Sequence, residues 1–340
     1  MRNPGWHLVV VVAGVAVALC GIHVYGQNSA PLRILQSIPI TGVQGRIDHF
    51  SIDVKGQRLF VAALGNNSVE VIDLSQGKRI HSITGLKEPQ GLLYASDLNQ
   101  LFVANGEDGT LRVFDTKSFA LITSLKLGTD ADNVRFDSGT GRVLVGYGEG
   151  ALGVVDPRTQ KLLATIKLAG HPESFQLEKN RPRTYVNAPD AHHIAIIDSS
   201  KHTVTATWST GDLRSNFPMA LDEPHHRLFV GFRKPARLAV FDTESGKQIA
   251  MVNCSGDTDD VFYDQENGRV YVSAGEGFID VIKQMDADHY QPISKMPTAA
   301  GARTSFFVPE LHRLFLAVPS RAQQEPAIRV YEVIGEPGRK

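Results

Sequence analysis

The large hydrophobic residues of this chain recur in one short sequence motif: a basic or polar residue, several apolar residues, then a small one. The seven copies are RLFVA at Arg58–Ala62, QLFVA at Gln100–Ala104, RVLVG at Arg142–Gly146, RTYVN at Arg183–Asn187, RLFVG at Arg227–Gly231, RVYVS at Arg269–Ser273 and RLFLA at Arg313–Ala317. Successive copies begin 42, 42, 41, 44, 42 and 44 residues apart. A strand-like repeat of this length predicts one four-stranded blade per copy. We therefore predict an all-β fold, a seven-bladed β-propeller.

The second repeat shows how a single blade divides into strands. Gly91–Tyr94 is a short apolar stretch that predicts the innermost strand, and Leu101–Ala104 predicts the second. After the polar loop Asn105–Thr110, the pattern predicts a third strand at Leu111–Asp115 and a fourth at Leu121–Leu127. Inner strands are almost wholly apolar because both faces pack against neighbouring blades, whereas the fourth alternates as a half-exposed strand does.

Most third strands are predicted to end on an aspartate. These residues are Asp73, Asp115, Asp156, Asp198 and Asp242. A carboxylate at this position accepts backbone N–H bonds from the turn that follows it. Because one role repeats in blade after blade, we interpret these aspartates as structural residues and assign them no chemistry.

The two ends of the chain predict how the ring closes. The seventh repeat ends with Ile328–Val333 and has no fourth strand after it. Ile34–Ile40, just before the first inner strand, has the pattern of a fourth strand. We predict that this N-terminal strand completes the last blade, with Pro39 at an outer edge where a missing N–H is tolerated.

The first residues have the sequence features of a targeting segment. Arg2 precedes an apolar run, Leu8–Leu19, that is short for a membrane span. Small or permissive residues at Val24–Gly26 then fit a signal-peptidase site. We expect residues 1–26 to be a signal peptide and residues 27–340 to be one propeller domain, placed in the periplasm or secreted.

Two alternatives concern the same segment. Cys20 follows a loose lipobox pattern, so export as a lipoprotein is one, and a retained signal anchor is the other. Cleavage after Gly26 leaves Cys254 as the single cysteine, which excludes an internal disulfide. We place Cys254 in an outer strand as a small hydrophobic residue.

Composition narrows the partner classes. A formal net charge of −1, with 42% hydrophobic and 21% charged residues, is typical of a soluble globular protein. No basic cluster occurs, so we expect no nucleic-acid partner. We expect a monomer that binds a small molecule or a protein at the mouth of the central channel, and no membrane span in the mature chain.

The repeat unit resembles a known family. Residues 66–104, NNSVEVIDLSQGKRIHSITGLKEPQGLLYASDLNQLFVA, are similar to the YVTN-type repeat of YncE-like propellers, a WD40-like repeat, and the likeness extends over Leu32–Val333. The resemblance implies an exported bacterial seven-bladed propeller. Members of the broader group include binding proteins, lactonases and lyases. One YncE-type protein is associated with single-stranded DNA, which the charge balance here does not support.

Candidate chemistry lies where the chain enters the inner strands, because these loops open on one face around the channel. Aligning the seven repeats gives one ring of equivalent positions: Asp48, Gln90, Asp132, Glu173, Phe217, Asp259 and Thr304. From this ring and its neighbours we predict a ligand site formed by Arg46, Asp48, His49, Gln90, Asn133, Glu173, Asn216, Asp260 and Arg303. The alternative is that these residues only pin solvated turns.

Like charges around a shared axis are unfavourable unless a cation neutralises them. We therefore predict a Ca²⁺ or Mg²⁺ site at Asp132, Glu173 and Asp259, since hard cations prefer oxygen ligands; Arg46 or Arg303 could neutralise the acids instead. The chain has no GxSxG motif, which argues against a serine nucleophile.

These observations leave two main functions open. The first is an exported propeller that binds a ligand or partner at an acid-rich funnel and is not an enzyme. The second is a metal-assisted lactonase- or lyase-like enzyme acting on a small oxygen-rich substrate, with His49 or Glu173 moving a proton. A third is an architectural partner of a redox or cell-envelope complex. The catalytic residues are not determined by the sequence.

Overall fold

A computed structural model describes residue 1 and residues 30–335 of the chain. Within residues 30–335 the chain folds into seven four-stranded antiparallel sheets arranged as the blades of a β-propeller. This confirms the predicted fold class. The predicted signal peptide and the alternative lipid anchor at Cys20 lie outside the described residues, apart from Met1.

The strands are numbered in chain order. Blade one contains β2 (Phe50–Asp53), β3 (Arg58–Ala63), β4 (Ser68–Asp73) and β5 (Lys78–Ile83); blade two contains β6 (Pro89–Ala95), β7 (Gln100–Asn105), β8 (Thr110–Asp115) and β9 (Leu121–Lys126). Blade three contains β10 (Val134–Asp137), β11 (Arg142–Tyr147), β12 (Ala151–Asp156) and β13 (Lys161–Lys167); blade four contains β14 (Phe175–Leu177), β15 (Arg183–Ala188), β16 (His193–Asp198) and β17 (Thr203–Ser209).

Blade five contains β18 (Arg214–Asp222), β19 (Arg227–Lys234), β20 (Ala236–Asp242) and β21 (Gln248–Asn253); blade six contains β22 (Thr258–Asp264), β23 (Arg269–Ala274), β24 (Phe278–Gln284) and β25 (Tyr290–Pro297). Blade seven contains β26 (Ser305–Val308), β27 (Arg313–Val318), β28 (Ala327–Val333) and β1 (Leu32–Pro39). Short 3-10 turns occupy Leu64–Asn66, Pro189–Ala191 and Pro309–Leu311.

The repeated apolar phrase explains why the blades stack. Successive residues of a strand point to opposite faces of its sheet, so a run of large apolar residues needs a partner on both sides. In β3, Leu59 packs in the junction with blade seven, while the next residue, Phe60, packs in the junction with blade two. In β7, Phe102 likewise packs against blade three. Each second strand therefore joins the apolar cores on its two sides.

The ring closes as predicted. Strand β1 pairs antiparallel with β28, from Leu32 opposite Val333 to Pro39 opposite Ala327. The pairing shifts by one residue at Leu35, and a shift of the same kind occurs in the outer strand pair of the other six blades. The strand begins two residues before the predicted range Ile34–Ile40 because Leu32 still pairs and is buried. The N-terminal strand thus reproduces the geometry of an ordinary fourth strand.

The aspartates at the ends of the third strands pin turns, as predicted. Each accepts a hydrogen bond of 2.7 to 3.1 Å from the backbone nitrogen three residues later, at Gln76, Ser118, Thr159, Lys201 and Ser245. The placement of Cys254 in an outer strand is wrong by one residue, since β21 ends at Asn253. The chain leaves the sheet there because Ser255 donates its backbone N–H to Asp280 instead. None of the described residues forms a helix long and apolar enough to cross a membrane.

Candidate functional site

Bulges occur at the starts of inner strands that supply the candidate site residues. The backbone nitrogen of Asp48 donates to the Ala62 carbonyl oxygen at 2.7 Å, and the Ala62 nitrogen donates to the His49 carbonyl oxygen at 3.0 Å. Two consecutive residues therefore oppose one, which is the definition of a β-bulge. Asp132 and Asn133 share Gly146 in the same way. Because a bulge re-aims the side chains beside it, acids from several blades meet around one axis.

These side chains enclose a small cavity beside the starts of the inner strands. It has a volume of about 30 Å³ and is lined by Arg46, Asp48, His49, Asp132, Asn133, Glu173, Ser174, Phe217, Asp259 and Asp260. A space of this size holds a water molecule or an ion and is far smaller than a pocket for a drug-sized ligand. The carboxyl groups that line it make it an acid-rich cavity, and we use that name below.

Eight of the residues predicted for the site line the acid-rich cavity, and three lie beside it. Gln90 is buried next to it, with its Nε2 donating to Asp130 Oδ1 at 2.9 Å. Asn216 is fully buried and donates to Asn187 Oδ1 at 3.1 Å. Asn216 therefore holds loops together and does not reach the cavity. Arg303 approaches from the rim and binds carboxylates, as described next.

Two arginines neutralise one side of the cavity. Arg303 Nη1 donates to Asp257 Oδ1 at 2.8 Å, and its Nε lies 3.1 Å from Asp259 Oδ2. Arg233 also donates to Asp259, and its guanidinium lies 4.0 Å from the centre of the Phe217 ring. Asp259 thus has two cationic partners. The predicted site does not include Arg233, because a repeat alignment does not show that this side chain of blade five reaches across to blade six.

The other side of the cavity brings together Asp132, His171 and Glu173. One ligand atom from each lies within 4.8 Å of the other two. The structure therefore places His171, and not Asp259, with the two acids that we predicted as metal ligands. His171 precedes the inner strand of blade four and is not among the predicted site residues. The prediction of a Ca²⁺ or Mg²⁺ site considered only oxygen ligands and therefore left out the imidazole of His171.

Burial and like charge perturb the acids of this cavity. Burial, reinforced by the Asp132 carboxylate, holds the pKa of Glu173 well above its usual range. Burial likewise raises the pKa of Asp260 to about 7. Burial lowers the pKa of His171, but the nearby carboxylates of Asp132, Glu173 and Asp130 and the hydrogen bond to the Gly148 carbonyl outweigh it and raise the pKa to about 9. Protons thus offset part of the negative charge.

His49 lines the acid-rich cavity. Its Nε2 atom is 3.1 Å from Asn133 Nδ2, 3.6 Å from Asp48 Oδ1 and 3.8 Å from Asp132 Oδ1. Burial lowers its pKa, but the carboxylates of Asp48, Asp260 and Asp132 outweigh burial and raise it. The imidazole is therefore placed to carry a proton between carboxylates.

A larger groove adjoins the cavity on the side of blades one and seven. It has a volume of about 270 Å³ and is lined by Gly45, Arg46, Ile47, Gly301, Arg303, Ala317, Pro319, Ser320 and Arg321. Arg46 lines both spaces and is paired with Asp48. Among the described residues, no carboxylate forms an ion pair with Arg321. We call this space the arginine groove; its lining suits an anion, since guanidinium groups bind carboxylate and phosphate oxygens.

Comparisons with known proteins show the fold only. No protein-family model matches the chain, and no curated protein matches its sequence. Among solved structures, hydrazine synthase of Kuenenia stuttgartiensis has a TM-score of 0.71 at 14% identity, covering 82% of this chain and 94% of that chain. A chain in the crystal structure of the mitotic checkpoint complex has a TM-score of 0.74 at 13% identity, covering 99% of both chains. These similarities agree with a propeller fold and indicate neither a ligand nor an activity for this chain.

Proposed function

We propose that this chain is an exported, YncE-like binding propeller that holds a small, oxygen-rich anionic ligand at the mouth of its channel. The observation that carries the proposal is the arginine groove beside the acid-rich cavity. Arg46, Arg303 and Arg321 come from loops of blades one and seven and line one space of about 270 Å³. A propeller fold is compatible with a binding scaffold, and the apolar run Leu8–Leu19 supports export.

The charge layout favours an anion over a cation in the groove itself. Arg46 and Arg303 are already balanced by Asp48, Asp257 and Asp259. Arg321 adds a guanidinium for which the described residues supply no carboxylate. An added anion can therefore bind Arg321 without breaking an existing pair.

Binding can be tested with defined small anions. Thermal denaturation of the mature protein with citrate, malonate, phosphate or sulfate should show a rise in melting temperature for at least one of them. Arg321→Gln should remove that rise. Arg158→Gln is the matched control, because Arg158 is an exposed arginine in a turn of blade three outside the groove. Equal stabilisation of all three proteins would mean that the anion acts elsewhere, and the proposal would fail.

A metal-assisted lactonase- or lyase-like activity is the second candidate. The position of His49 favours it, because the imidazole lies within 3.8 Å of the carboxyl groups of both Asp48 and Asp132. Such a group can move a proton to or from a substrate. Turnover of a panel of lactones and of substrates prone to elimination would support this candidate if His49→Gln lowered kcat while anion binding persisted.

A further inference from the structure

We infer that Asp132, His171 and Glu173 form a binding site for a divalent transition-metal ion, with Zn²⁺ and Mn²⁺ as the ions to test. The site lies at the junction of blades three and four, on the wall of the acid-rich cavity. The inference deepens the proposed function, because it assigns an ion to the same channel mouth. It differs from a ring of equivalent carboxylates around the axis in using one histidine and two neighbouring blades.

The three side chains are spaced for a common ion. Their ligand atoms lie within 4.8 Å of one another. Bonds from zinc to nitrogen or oxygen measure about 2.0 to 2.2 Å, so two ligand atoms of a tetrahedral zinc ion stand about 3.3 to 3.6 Å apart. The trio therefore has to contract by up to about 1.5 Å to bind. Three protein ligands also leave a coordination position open for water or for a ligand oxygen.

His171 is oriented as a metal ligand. Its Nδ1 atom lies 2.7 Å from the carbonyl oxygen of Gly148. A carbonyl only accepts, so Nδ1 carries the hydrogen and Nε2 is the atom that faces the acids, 3.9 Å from Asp132 Oδ2. Metal-binding histidines characteristically donate their other ring N–H to a carbonyl or carboxylate, which fixes the ring. The hydrogen bond to Gly148 provides that second contact.

An independent observation is a buried polar atom of this trio that lacks a partner. Asp132 is only 6% exposed and lines the cavity, and its Oδ1 atom, 3.8 Å from His49 Nε2, has no hydrogen-bond partner. A buried carboxylate oxygen without a partner is unfavourable, and in native structures such atoms are explained by a bound ion or water. The adjoining space of about 30 Å³ holds an ion or a water but no larger group.

The mixed donor set selects the kind of ion. Imidazole nitrogen suits zinc and other first-row transition metals, whereas Ca²⁺ and Mg²⁺ are bound by oxygen atoms. Asp259, which would supply a further oxygen, is held by Arg233 and Arg303. The trio is thus better matched to Zn²⁺ or Mn²⁺ than the predicted hard-cation site.

Titration of chelator-treated mature protein with Zn²⁺, Mn²⁺, Ca²⁺ and Mg²⁺ tests the site by calorimetry and thermal denaturation. We expect Zn²⁺ or Mn²⁺ to bind with a stoichiometry near one and to raise the melting temperature. His171→Gln and Glu173→Gln should each weaken binding at least about tenfold, in line with losses of metal ligands or their supports. The matched controls are His192→Asn and Glu149→Gln, exposed residues on loops of the same two blades.

A spectroscopic readout separates ligation from folding. Co²⁺ added to the wild type should give visible absorption bands that shift or vanish in His171→Gln, while circular dichroism confirms that the variant is folded. If Co²⁺ gives the same bands in wild type and His171→Gln, the trio is not the ligand set. Stabilisation by Ca²⁺ that Asp259→Asn abolishes and His171→Gln preserves would equally overturn the inference, in favour of the oxygen-only site.

The outcomes also separate this inference from the proposed function. Anion binding that depends on Arg321, in a protein that takes up no transition metal, would reject the metal site and leave the binding function standing. Metal uptake by the trio without any anion effect at Arg321 would support the metal site and reject the proposed anion-binding function.

Discussion

Asp260 Oδ2 accepts a hydrogen bond of 2.7 Å from the backbone nitrogen of Ser305, so an acid of blade six holds the inner strand of blade seven. The bond lies inside the acid-rich cavity, where Asp260 is 8% exposed. The Asp260 side chain therefore has two opposing effects on stability. It anchors a neighbouring blade, and it adds a buried negative charge to a site that already has several.

This conflict predicts a pH-dependent stability. Burial raises the pKa of Asp260 from 3.8 to about 7, so between these values the unfolded chain ionises while the folded chain keeps its proton. The free energy of unfolding should fall as pH rises through this window, by at most ~4 kcal/mol at ~1.4 kcal/mol per pKa unit. Asp260→Asn should remove this slope. Its melting temperature in the presence of chelator should exceed that of the wild type at pH 8 and match it at pH 4.

Asp115→Asn is the control, because the contribution of Asp115 to the free energy of unfolding changes with pH in the opposite direction. The pKa of Asp115 is lowered by hydrogen bonds from Ser118, so its stabilising effect is present above its usual pKa and is lost as pH falls. Parallel pH curves for the wild type and Asp260→Asn would contradict the first expectation.

A second prediction concerns Gly91, which lets blade two approach Asp132 at the edge of the acid-rich cavity. A Cβ atom at Gly91 would lie 2.1 Å from the carbonyl oxygen of Asp132. Gly91→Ala must therefore displace the Asp132 backbone, and we expect weaker transition-metal binding together with a loss of ~1–3 kcal/mol in stability. Gly139→Ala in blade three is the control, because its Cβ would meet no atom closer than 3.3 Å. Calorimetric titration and denaturant unfolding of both variants measure the two effects.

A third prediction concerns closure. Deletion of residues 30–39 removes β1 and exposes the edge of β28, and an unpaired edge is a template for association. The shortened protein should melt at a lower temperature and form oligomers in sedimentation analysis. A synthetic peptide of residues 30–41 should bind it and restore the monomer. A deletion variant that stays monomeric with an unchanged melting temperature would show that β1 does not stabilise the ring.

The fourth prediction is that Cys254 is chemically inert in the folded protein. Burial raises the pKa of its thiol to about 12, so at pH 8 only roughly one molecule in ten thousand carries the reactive thiolate. Iodoacetamide should label the Cys254 peptide far more slowly in native protein than in guanidinium-unfolded protein, as followed by mass spectrometry. Equal labelling rates would indicate an accessible thiol.

The fifth prediction concerns maturation. If residues 1–26 are a cleaved signal peptide, the exported protein should begin at Gln27, and N-terminal sequencing of the periplasmic or secreted fraction should show it. An intact Met1 would reject cleavage, and a lipid-modified Cys20 would show that the lipoprotein alternative is correct.

The sequence predicts the fold well because the motifs that mark its strands and turns recur from blade to blade. The RLFVA-type phrase marks every second strand, and Asp73 or Asp115 marks the end of a third. The repeat alignment also identified the positions that line the cavity, since a bulge at Asp48 and at Asp132 gives equivalent residues equivalent directions.

The alignment does not show where the blades stop being equivalent. Asp132 and Asp259 occupy the same register, yet Asp259 is held by Arg233 and Arg303 while Asp132 faces His171. Contacts of this kind cross between blades and depend on side-chain length and direction. A repeat period carries no information about either, so the contacts of Asp132 and Asp259 do not follow from the alignment.

The pairing of β1 with β28 also sets an order of events during synthesis. Arg33 and Glu332, joined by a hydrogen bond of 3.1 Å, are 299 residues apart in the chain. Among the described strands, β1 leaves the ribosome first and therefore finds its partner last, after the other six blades have been made. Until then, both the early strand and the open flank of blade one are available for pairing with other chains. A cell that makes this protein needs to keep nascent chains apart for nearly the whole time of translation, or to delay folding until the chain is complete.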